Sequence, residues 1–199
     1  MVSAFKQLTQ FLELCEAMLK SMRTKIRKEI YRIKPYDLLE ENTISDIVEW
    51  IDSDVELCRL RKPDFPAKHL VSYFAVVDGE YLLLVDHINA ELWLPTGGHV
   101  EPGEHPRNTA LRECSEELDF KGEFLIDEPI MVTVTETVGK TSGHTDVSIW
   151  YALKGDMKIS LNFDTGEFNG VKWFHKDKLP KESDPHLGRF VEKLYATLT

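Results

Sequence analysis

Two hydrophobic repeats divide the chain into a helical first part and a strand-rich second part. Before Pro35, apolar side chains recur in alternating steps of three and four residues, which is the spacing of one helix face. The members of this repeat are Phe5, Leu8, Leu12, Cys15, Leu19, Met22 and Ile26. A long amphipathic helix is therefore predicted. Pro35 is expected to stop it, because proline lacks a backbone donor and clashes with the preceding turn.

A second helix is predicted before the strands begin. Its apolar positions are Ile44, Ile47, Val48 and Ile51. Asn42 and Thr43 precede them and suit a helix N-cap. The segment PDFP, residues 63–66, is typical of a linker. We therefore expect a helical N-terminal extension with its linker over residues 1–66, and a separate domain over residues 67–199.

The second part changes to the two-residue period of strands. HLVSYFAVVD and EYLLLVDH form a predicted hairpin through Asp78-Gly79, because that dipeptide suits a tight turn. ELWLP, PIMVTVTETVG, HTDVSIWYALKG and GVKWFHKD are further predicted strands, and DPHLGRFVEKLYATL is a predicted terminal helix. A mixed sheet with helices packed on it, an α/β fold, is the expected architecture.

Composition places the chain among ordinary soluble proteins. It has 199 residues, of which 42% are hydrophobic and 29% charged, with no apolar run of membrane-spanning length and no signal-peptide pattern. Cys15, Cys58 and Cys114 have no metal-binding spacing, so reduced thiols in a core are expected. We expect a cytoplasmic protein with no membrane partner.

Charge distribution argues against general nucleic-acid binding. The formal net charge is −10, and residues 67–199 carry 13 Lys and Arg against 22 Asp and Glu. Phosphate backbones are bound by Lys and Arg, so this domain lacks the usual basic surface. A polyanionic substrate would need a cation there.

Three glutamates are predicted on one helix, where they repel one another. In the stretch GGHVEPGEHPRNTALRECSEELDF, Gly97 and Gly98 predict a tight loop before the helix. Leu111, Cys114 and Leu118 give the helix a core side, and Pro106 suits its first turn. Glu113, Glu116 and Glu117 fall largely on another side. A hard cation such as Mg²⁺, which prefers carboxylate oxygens, would relieve the repulsion.

The spacing of these residues resembles the Nudix box. Gly98 is followed after five residues by Glu104, and after seven more by Arg112-Glu113-Cys114-Ser115-Glu116-Glu117. The resemblance implies a Nudix-type α/β/α sandwich with a mixed β-sheet. It also implies hydrolysis of a nucleoside diphosphate linked to another moiety, with Mg²⁺ or Mn²⁺ bound and a small nucleotide-type diphosphate as substrate.

The resemblance also assigns roles by position. Glu113, Glu116 and Glu117 correspond to metal-ligand glutamates, and the carbonyl of Gly97 to a further ligand. One of these carboxylates, or another outside the box, would orient or deprotonate the attacking water. Glu104 and Arg112 correspond to a pair that braces loop against helix. Two positions depart from the family pattern: Thr96 replaces a proline and Asp119 replaces a glycine.

Residues outside the box are weaker candidates for the site. Further carboxylate or substrate contacts are expected among Glu136, His144, Asp146, Asp164 and Glu167, and base stacking among Trp93, Trp150 and Trp173. Each of these taken alone is better explained as a solvated or structural residue, as is the lone His99. Glu136, Thr137 and Val138 stand where relatives acting on ADP-ribose or dinucleoside polyphosphates tend to have proline or tyrosine. This weighs weakly against both substrates.

Three functions stay open from the sequence. The first is an active Nudix pyrophosphohydrolase. The second is a nucleotide-sensing module without turnover, whose basic segment KSMRTKIRKEIYRIK docks a partner instead of being only a solvated helix face. The third, isomerisation of an isoprenoid diphosphate, lacks a suitably placed cysteine, because Cys114 falls on the core side. The first helix either forms a homodimer contact or folds back on the catalytic domain.

Overall fold

The computed structural model describes residues 2–61, 65–138, 140 and 142–198, without the side chains of residues 2–6, 8, 9 and 12. The helices of these ranges are α1 Val2–Tyr31, α2 Leu38–Asp52, α3 Pro106–Leu118 and α4 Leu187–Leu198. The strands are β1 Lys68–Asp78, β2 Tyr81–His87, β3 Leu92–Leu94, β4 Thr96–His99, β5 Met131–Glu136, β6 Thr145–Lys154 and β7 Phe168–His175. Residues 63 and 64 of the predicted linker lie outside the described residues, as does residue 62.

All seven of these strands belong to one mixed sheet. The main path runs β3-β2-β1-β6-β5, while β4 pairs with β1 and β7 pairs with β2. β1 and β6 are parallel, and the other pairings are antiparallel. The predicted turn joins β1 to β2, and Gly79 adopts a φ of 57° there, a conformation that glycine reaches without strain. The predicted mixed α/β sheet is confirmed.

Alternation along the strands divides the core into two layers. On one face Leu70, Phe74 and Val76 of β1 pack under the first three helices. On the other face, Ala75 and Val77 pack under α4. Because successive side chains of a strand point to opposite faces, one strand supplies both layers. The molecule is therefore an α/β/α sandwich.

The second half of α1 is part of this core. Ile26, Ile30 and Ile33 are buried in the same cluster as Leu70. The helix thus folds back on the domain, which was one of the two alternatives for its apolar face. It ends at Tyr31, before Pro35, because the next amides turn back to carbonyls three residues earlier. Of the predicted repeat, the side chains of residues 5, 8 and 12 lie outside the described residues.

The second helix starts earlier than predicted. Asp37 is its N-cap and accepts a hydrogen bond from the Glu40 amide, while Glu40 Oε2 accepts one from the Tyr36 amide at 2.7 Å. The predicted cap at Asn42 and Thr43 is wrong, since both residues lie inside α2. The apolar repeat begins only at Ile44 because the buried position of the first turn is the charged residue Glu40, while Leu38 and Leu39 are exposed.

Charged contacts tie the N-terminal helices to the rest of the fold. Arg189 of α4 donates two hydrogen bonds to Asp37, at 2.6 and 2.9 Å. Lys193 of α4 donates to Glu40 at 2.6 Å, and both of these side chains are buried. A buried pair of this kind is costly to break, because either partner alone would be an uncompensated charge. The extension is thus held at both faces of the sheet.

The basic segment of α1 is not uniformly solvated. Arg23 donates to the carbonyls of Ile51 and Val55, and Arg27 pairs with Asp52 at 2.7 Å. These contacts hold α1 against α2. At least two of the segment's cations therefore serve internal packing.

Two of the three cysteines are buried as expected, Cys58 and Cys114, whereas Cys15 is partly exposed. All three are free thiols. Among the described residues, no helix combines the length and apolarity that crossing a membrane requires.

Candidate active site

The glutamate-rich helix is anchored to the centre of the sheet. Pro106 occupies its first turn and His105 is the N-cap, whose ring accepts a hydrogen bond from the Arg107 amide. Ser72 of β1, which is buried, donates to the carbonyl of Pro106 at 2.8 Å. The helix ends at Asp119, which adopts the left-handed conformation with φ 49°. This matches the C-cap role expected of the residue that replaces a glycine.

Gly97 and Gly98 lie in strand β4, not in the predicted loop. They pair with Tyr73 and Ser72 of β1. A Cβ at Gly98 would collide with the Glu113 carboxylate, and one at Gly97 would collide with the backbone of Ser72. Glycine is needed here for close approach, since it lets the carboxylate of α3 rest directly on the strand.

Arg112 connects the box residues. Its guanidinium donates to both oxygens of Glu104, at 3.1 and 3.0 Å, and to the carbonyl of His99 at 3.3 Å. Thr109 also donates to Glu104, at 2.8 Å. Burial favours the neutral form of Glu104, but the donors from Arg112 and Thr109 outweigh it and lower the pKa. Loop and helix are therefore braced by a bidentate ion pair.

Two more carboxylates share the same guanidinium. Arg112 Nη1 lies 2.7 Å from Glu113 Oε1 and 3.1 Å from Glu116 Oε2. Burial raises the pKa of Glu113, and Arg112 partly opposes that shift. The side chain of Glu116 is 60% exposed, so it faces the solvent side of the site. Arg112 thus offsets only part of the negative charge on α3.

Glu117 is the most buried carboxylate of the box. The residue is 7% exposed, and its Oε2 atom makes no hydrogen bond to another described residue. Burial raises its pKa to about 9, and the charges of Glu113 and Glu167 add to the shift. Only the backbone of Gly97 opposes it noticeably. A buried carboxylate without a cation is unfavourable, so this position is suited to receiving one.

The loop before β7 brings two candidates from outside the box to this carboxylate. The Asp164 amide donates to the carbonyl of Glu117 at 2.9 Å, and the Asp164 carbonyl accepts from the Glu167 amide at 3.2 Å. The charges of Asp164 and Glu167 both disfavour ionisation of Glu117. Glu136, by contrast, is exposed at the end of β5. The structure therefore brings Asp164 and Glu167 to the box.

The tryptophans do not offer equal stacking surfaces. Trp150 is fully buried and its Nε1 donates to Thr133 Oγ1 at 2.9 Å, so it belongs to the core. Trp93 and Trp173 are half-buried and pack against the two core layers. Base stacking on Trp150, one of the sequence possibilities, is excluded by its burial.

A second group of polar side chains lies beside the box. His69, His99, His144 and Asp146 form it, with no two of their four possible ligand atoms more than 4.8 Å apart. His69 was not among the sequence candidates. The sequence features that could have indicated this cluster are His69 near the start of β1, His99 after Gly98, and His144 with Asp146 at the start of β6. Only the register of β1 with β6, which sets His69 opposite Asp146, brings them together.

The sequence model of the NUDIX domain matches residues 68–194. The chain belongs to the NUDIX family, and the assignment made from the box is confirmed together with the Nudix-type fold.

Relatives with a described activity share this part of the chain. Over 111 residues, the chain is 39% identical to the asymmetrical bis(5'-nucleosyl)-tetraphosphatase of Rattus norvegicus. The aligned part covers 56% of this chain and 74% of that protein. The chain is 28% identical over 120 residues to the RNA pyrophosphohydrolase of Brucella anthropi, which is 53% of this chain and 69% of that protein.

A solved structure matches the N-terminal helices as well. The crystal structure of a UDP-X diphosphatase covers 96% of this chain and 96% of its own, with a TM-score of 0.52 and 17% identity. At that identity the similarity concerns the fold alone. The coverage indicates that a comparable arrangement of helices accompanies a Nudix fold elsewhere.

Proposed function

We propose that this protein is a metal-dependent pyrophosphohydrolase that cleaves a diphosphate bond in a nucleoside diphosphate linked to another moiety. The observation that carries the proposal is Glu117, a buried carboxylate with an unpartnered oxygen and a pKa raised to about 9. Such a group is unfavourable in the bare protein. It becomes favourable when a cation and an anionic substrate complete the site.

The donor set fits Mg²⁺ or Mn²⁺. The ligands would be the carboxylates of Glu113, Glu116 and Glu117 and the carbonyl of Gly97, all oxygen donors. Gly98 supports this assignment, because a side chain there would displace the Glu113 carboxylate. When bound, a divalent ion neutralises diphosphate charge and lowers the pKa of a coordinated water.

The chain's own residues would position and activate the reactants. Glu104 and Arg112 hold the start of α3 against β4, which keeps the ligand carboxylates beside Gly97 and Gly98. A carboxylate near Glu117 would orient the attacking water and accept its proton. Glu167 and Asp164 join the box glutamates as candidates for that base, since their charges already act on Glu117.

The substrate class proposed here is nucleotide-type. The 39% identical rat relative is named for bis(5'-nucleosyl) tetraphosphates, and this favours a dinucleoside polyphosphate despite the missing proline or tyrosine near Glu136. RNA pyrophosphates are the next class to compare, because the 28% identical relative is named for RNA pyrophosphate hydrolysis, and nucleotide sugars stay open from the sequence. A general affinity for nucleic acid is not proposed, given the negative charge of the domain.

The testing experiment is a hydrolysis panel with separated products. Wild-type protein and Glu117→Gln are compared on dinucleoside polyphosphates, nucleoside triphosphates, nucleotide sugars and 5'-triphosphorylated RNA, with Mg²⁺, with Mn²⁺ and with chelator. Turnover that needs both the metal and Glu117 supports the proposal. Turnover that persists in chelator or in the variant overturns it. Ligand-dependent stabilisation without any product would instead favour the nucleotide-sensing module.

We further propose that the first half of α1 forms a homodimer contact. Phe11, Leu14 and Met18 recur at steps of three and four and are 62, 58 and 72% exposed, although α1 beyond them enters the core. The solution mass of wild-type protein and of a Leu14→Glu/Met18→Glu variant checks this. A dimer is expected to become a monomer in the variant, and a monomeric wild type contradicts the proposal.

A further inference from the structure

We propose a second metal centre, distinct from the carboxylate site, in which His69, His99, His144 and Asp146 hold one Zn²⁺-like transition-metal ion. Three imidazoles and one carboxylate form a complete tetrahedral ligand set for such an ion. The proposal depends on the geometry, the hydrogen-bond partners and the position of the cluster in the sheet.

The four residues come from three strands and one connection. His69 opens β1, His99 closes β4, Asp146 lies at the start of β6, and His144 precedes β6. His69 and Asp146 are register partners in the parallel pair of β1 and β6. The residues are therefore fixed by the sheet, and two of them, His69 and His144, are almost fully buried.

The two separations from Asp146 match the edge of a tetrahedron better than a hydrogen bond, and no separation within the cluster exceeds 4.8 Å. Asp146 Oδ1 lies 3.4 Å from His69 Nε2 and 3.4 Å from His144 Nε2. Ligands bound at about 2.0 to 2.1 Å in a tetrahedron are separated by roughly 3.3 to 3.4 Å. A good N–H···O hydrogen bond would instead be about 2.9 to 3.0 Å. His69 Nε2, His99 Nε2 and Asp146 Oδ1 are all buried without a hydrogen-bond partner among the described residues.

Outer contacts orient the rings of the cluster. His69 Nδ1 lies 2.8 Å from the carbonyl of Pro66, which only accepts, so Nδ1 carries a proton and Nε2 is the ring nitrogen that faces Asp146. The Thr137 hydroxyl donates to the carbonyl of His144 at 3.1 Å and therefore accepts from His144 Nδ1 at 3.3 Å. His144 Nε2 is thus the ring nitrogen that faces Asp146.

The cluster lies on the face of the sheet opposite α3. Ser72 and Gly98 are paired and face α3, because Ser72 donates to Pro106 and Gly98 contacts Glu113. His69 and His99 are each an odd number of positions from this pair along their strands, so their side chains point to the other face. The centre is therefore separate from the box carboxylates.

A metal here would join β1, β4 and β6 at one end of the sheet. Every ligand comes from the protein, which is the arrangement of a structural site with no position left for substrate. It would fix β4, whose Gly97 and Gly98 lie against Glu117 and Glu113 on the carboxylate side. The Arg112 contact to the His99 carbonyl connects the two sites directly.

Metal binding itself provides the test. Full-length protein is stripped with chelator, and Zn²⁺ and Co²⁺ affinities are measured by titration for wild type, His69→Gln and Asp146→Asn. Glu117→Gln removes a ligand of the carboxylate site, and His175→Gln removes a histidine outside the cluster. We expect wild type and both controls to bind one tight equivalent at the cluster, and any binding at the box carboxylates to be weaker and to be lost only in Glu117→Gln. The two cluster variants should bind at least about 100-fold more weakly, since even outer-contact mutations cost about 10- to 100-fold.

The Co²⁺ spectrum decides the geometry even if a cluster variant fails to fold. Glu117→Gln loaded with Co²⁺ should show the intense visible absorption of a tetrahedral ion. A weak octahedral spectrum, no bound equivalent, or an affinity that falls in Glu117→Gln but not in Asp146→Asn would each overturn the proposal. None of these readouts depends on enzymatic turnover, so failure here is distinguishable from failure of the proposed hydrolysis.

Discussion

Arg112 binds Glu104 through two parallel hydrogen bonds, at 3.1 and 3.0 Å, across the junction between the loop after β4 and helix α3. The same guanidinium contacts Glu113 and Glu116, so it sets the positions of the carboxylates proposed to bind metal. This single side chain therefore links the stability of the junction to the geometry of the site.

Arg112→Lys should weaken both properties. Lysine keeps the positive charge but cannot form the planar bidentate contact. We expect the free energy of unfolding to fall by about 1 to 3 kcal/mol and kcat/KM to fall by at least about tenfold. Urea denaturation and steady-state kinetics measure these effects. Arg27→Lys is the matched control, because it alters another arginine–carboxylate contact, in which Nε donates to both oxygens of exposed Asp52, and should leave turnover unchanged.

Gly98→Ala should inactivate the enzyme while the protein stays folded. The added methyl group would collide with the Glu113 carboxylate and push it away from the strand. A displacement of about 1 Å at a reacting centre costs about 100-fold in rate, so we expect a loss of that order in kcat. Gly170→Ala in β7 is the control, since its methyl group would meet no atom within 4 Å. Equal activity in the two variants would contradict the proposed position of Glu113.

Glu117→Gln should stabilise the metal-free protein and abolish its response to metal. The wild-type carboxylate is buried beside the charges of Glu113 and Glu167. Replacing it with a neutral side chain removes that repulsion, so Tm in chelator should rise by several degrees, about 2 to 4 °C per kcal/mol. Added Mg²⁺ should raise Tm in wild type only. A lower Tm for the variant in chelator would show that Glu117 has a structural role.

Glu29 should make the protein less stable as pH rises from about 4.5 to 7. Burial raises its pKa from 4.5 to about 7, opposed by Arg107 and by the nearby Tyr151 hydroxyl, and its Oε2 lies 3.3 Å from His105. The folded state holds the proton of Glu29 more tightly than the unfolded chain does. The contribution of Glu29 to the free energy of unfolding is therefore fully present below pH 4.5 and is lost as pH rises through 7.

Glu29→Gln should remove this pH dependence. The variant should equal wild type near pH 4.5 and be more stable at pH 8 by about 3 kcal/mol. Urea denaturation at the two pH values measures the difference. Glu16→Gln, at an exposed position of the same helix, should leave the wild-type slope unchanged. A Glu29→Gln variant that is less stable at pH 8 would mean that an ionised Glu29 is favourable in the folded protein.

Local patterns were sufficient for much of the fold and of the box. The β-rich apolar runs of β1 and β2, the dipeptide Asp78-Gly79 and the first-turn Pro106 each specify a neighbouring element without help from distant residues. The left-handed C-cap at Asp119 also followed from its residue type and position. These features depend on backbone conformation within a few residues, which a sequence displays directly.

Features that depend on distant partners were missed. Asp37 as the cap of α2 was overlooked because the apolar repeat starts only at Ile44, while the buried residue of the first turn is Glu40, which pairs with distant Lys193. His69 was overlooked because its neighbours in the cluster follow at least 30 positions later, and only strand register joins them. The burial of Glu29, the one acid in a basic segment, likewise requires the contact between α1 and α3.

The ion pairs between α2 and α4 also bear on how the chain is made. Glu40 and Lys193 are separated by 153 positions, so the ribosome produces the carboxylate long before the ammonium that neutralises it. Until α4 emerges, the first helices would have to bury an uncompensated charge in order to dock fully. Helix α4 therefore completes the docking of the N-terminal helices. A nascent chain that stops short of Lys193 would leave these helices loosely attached.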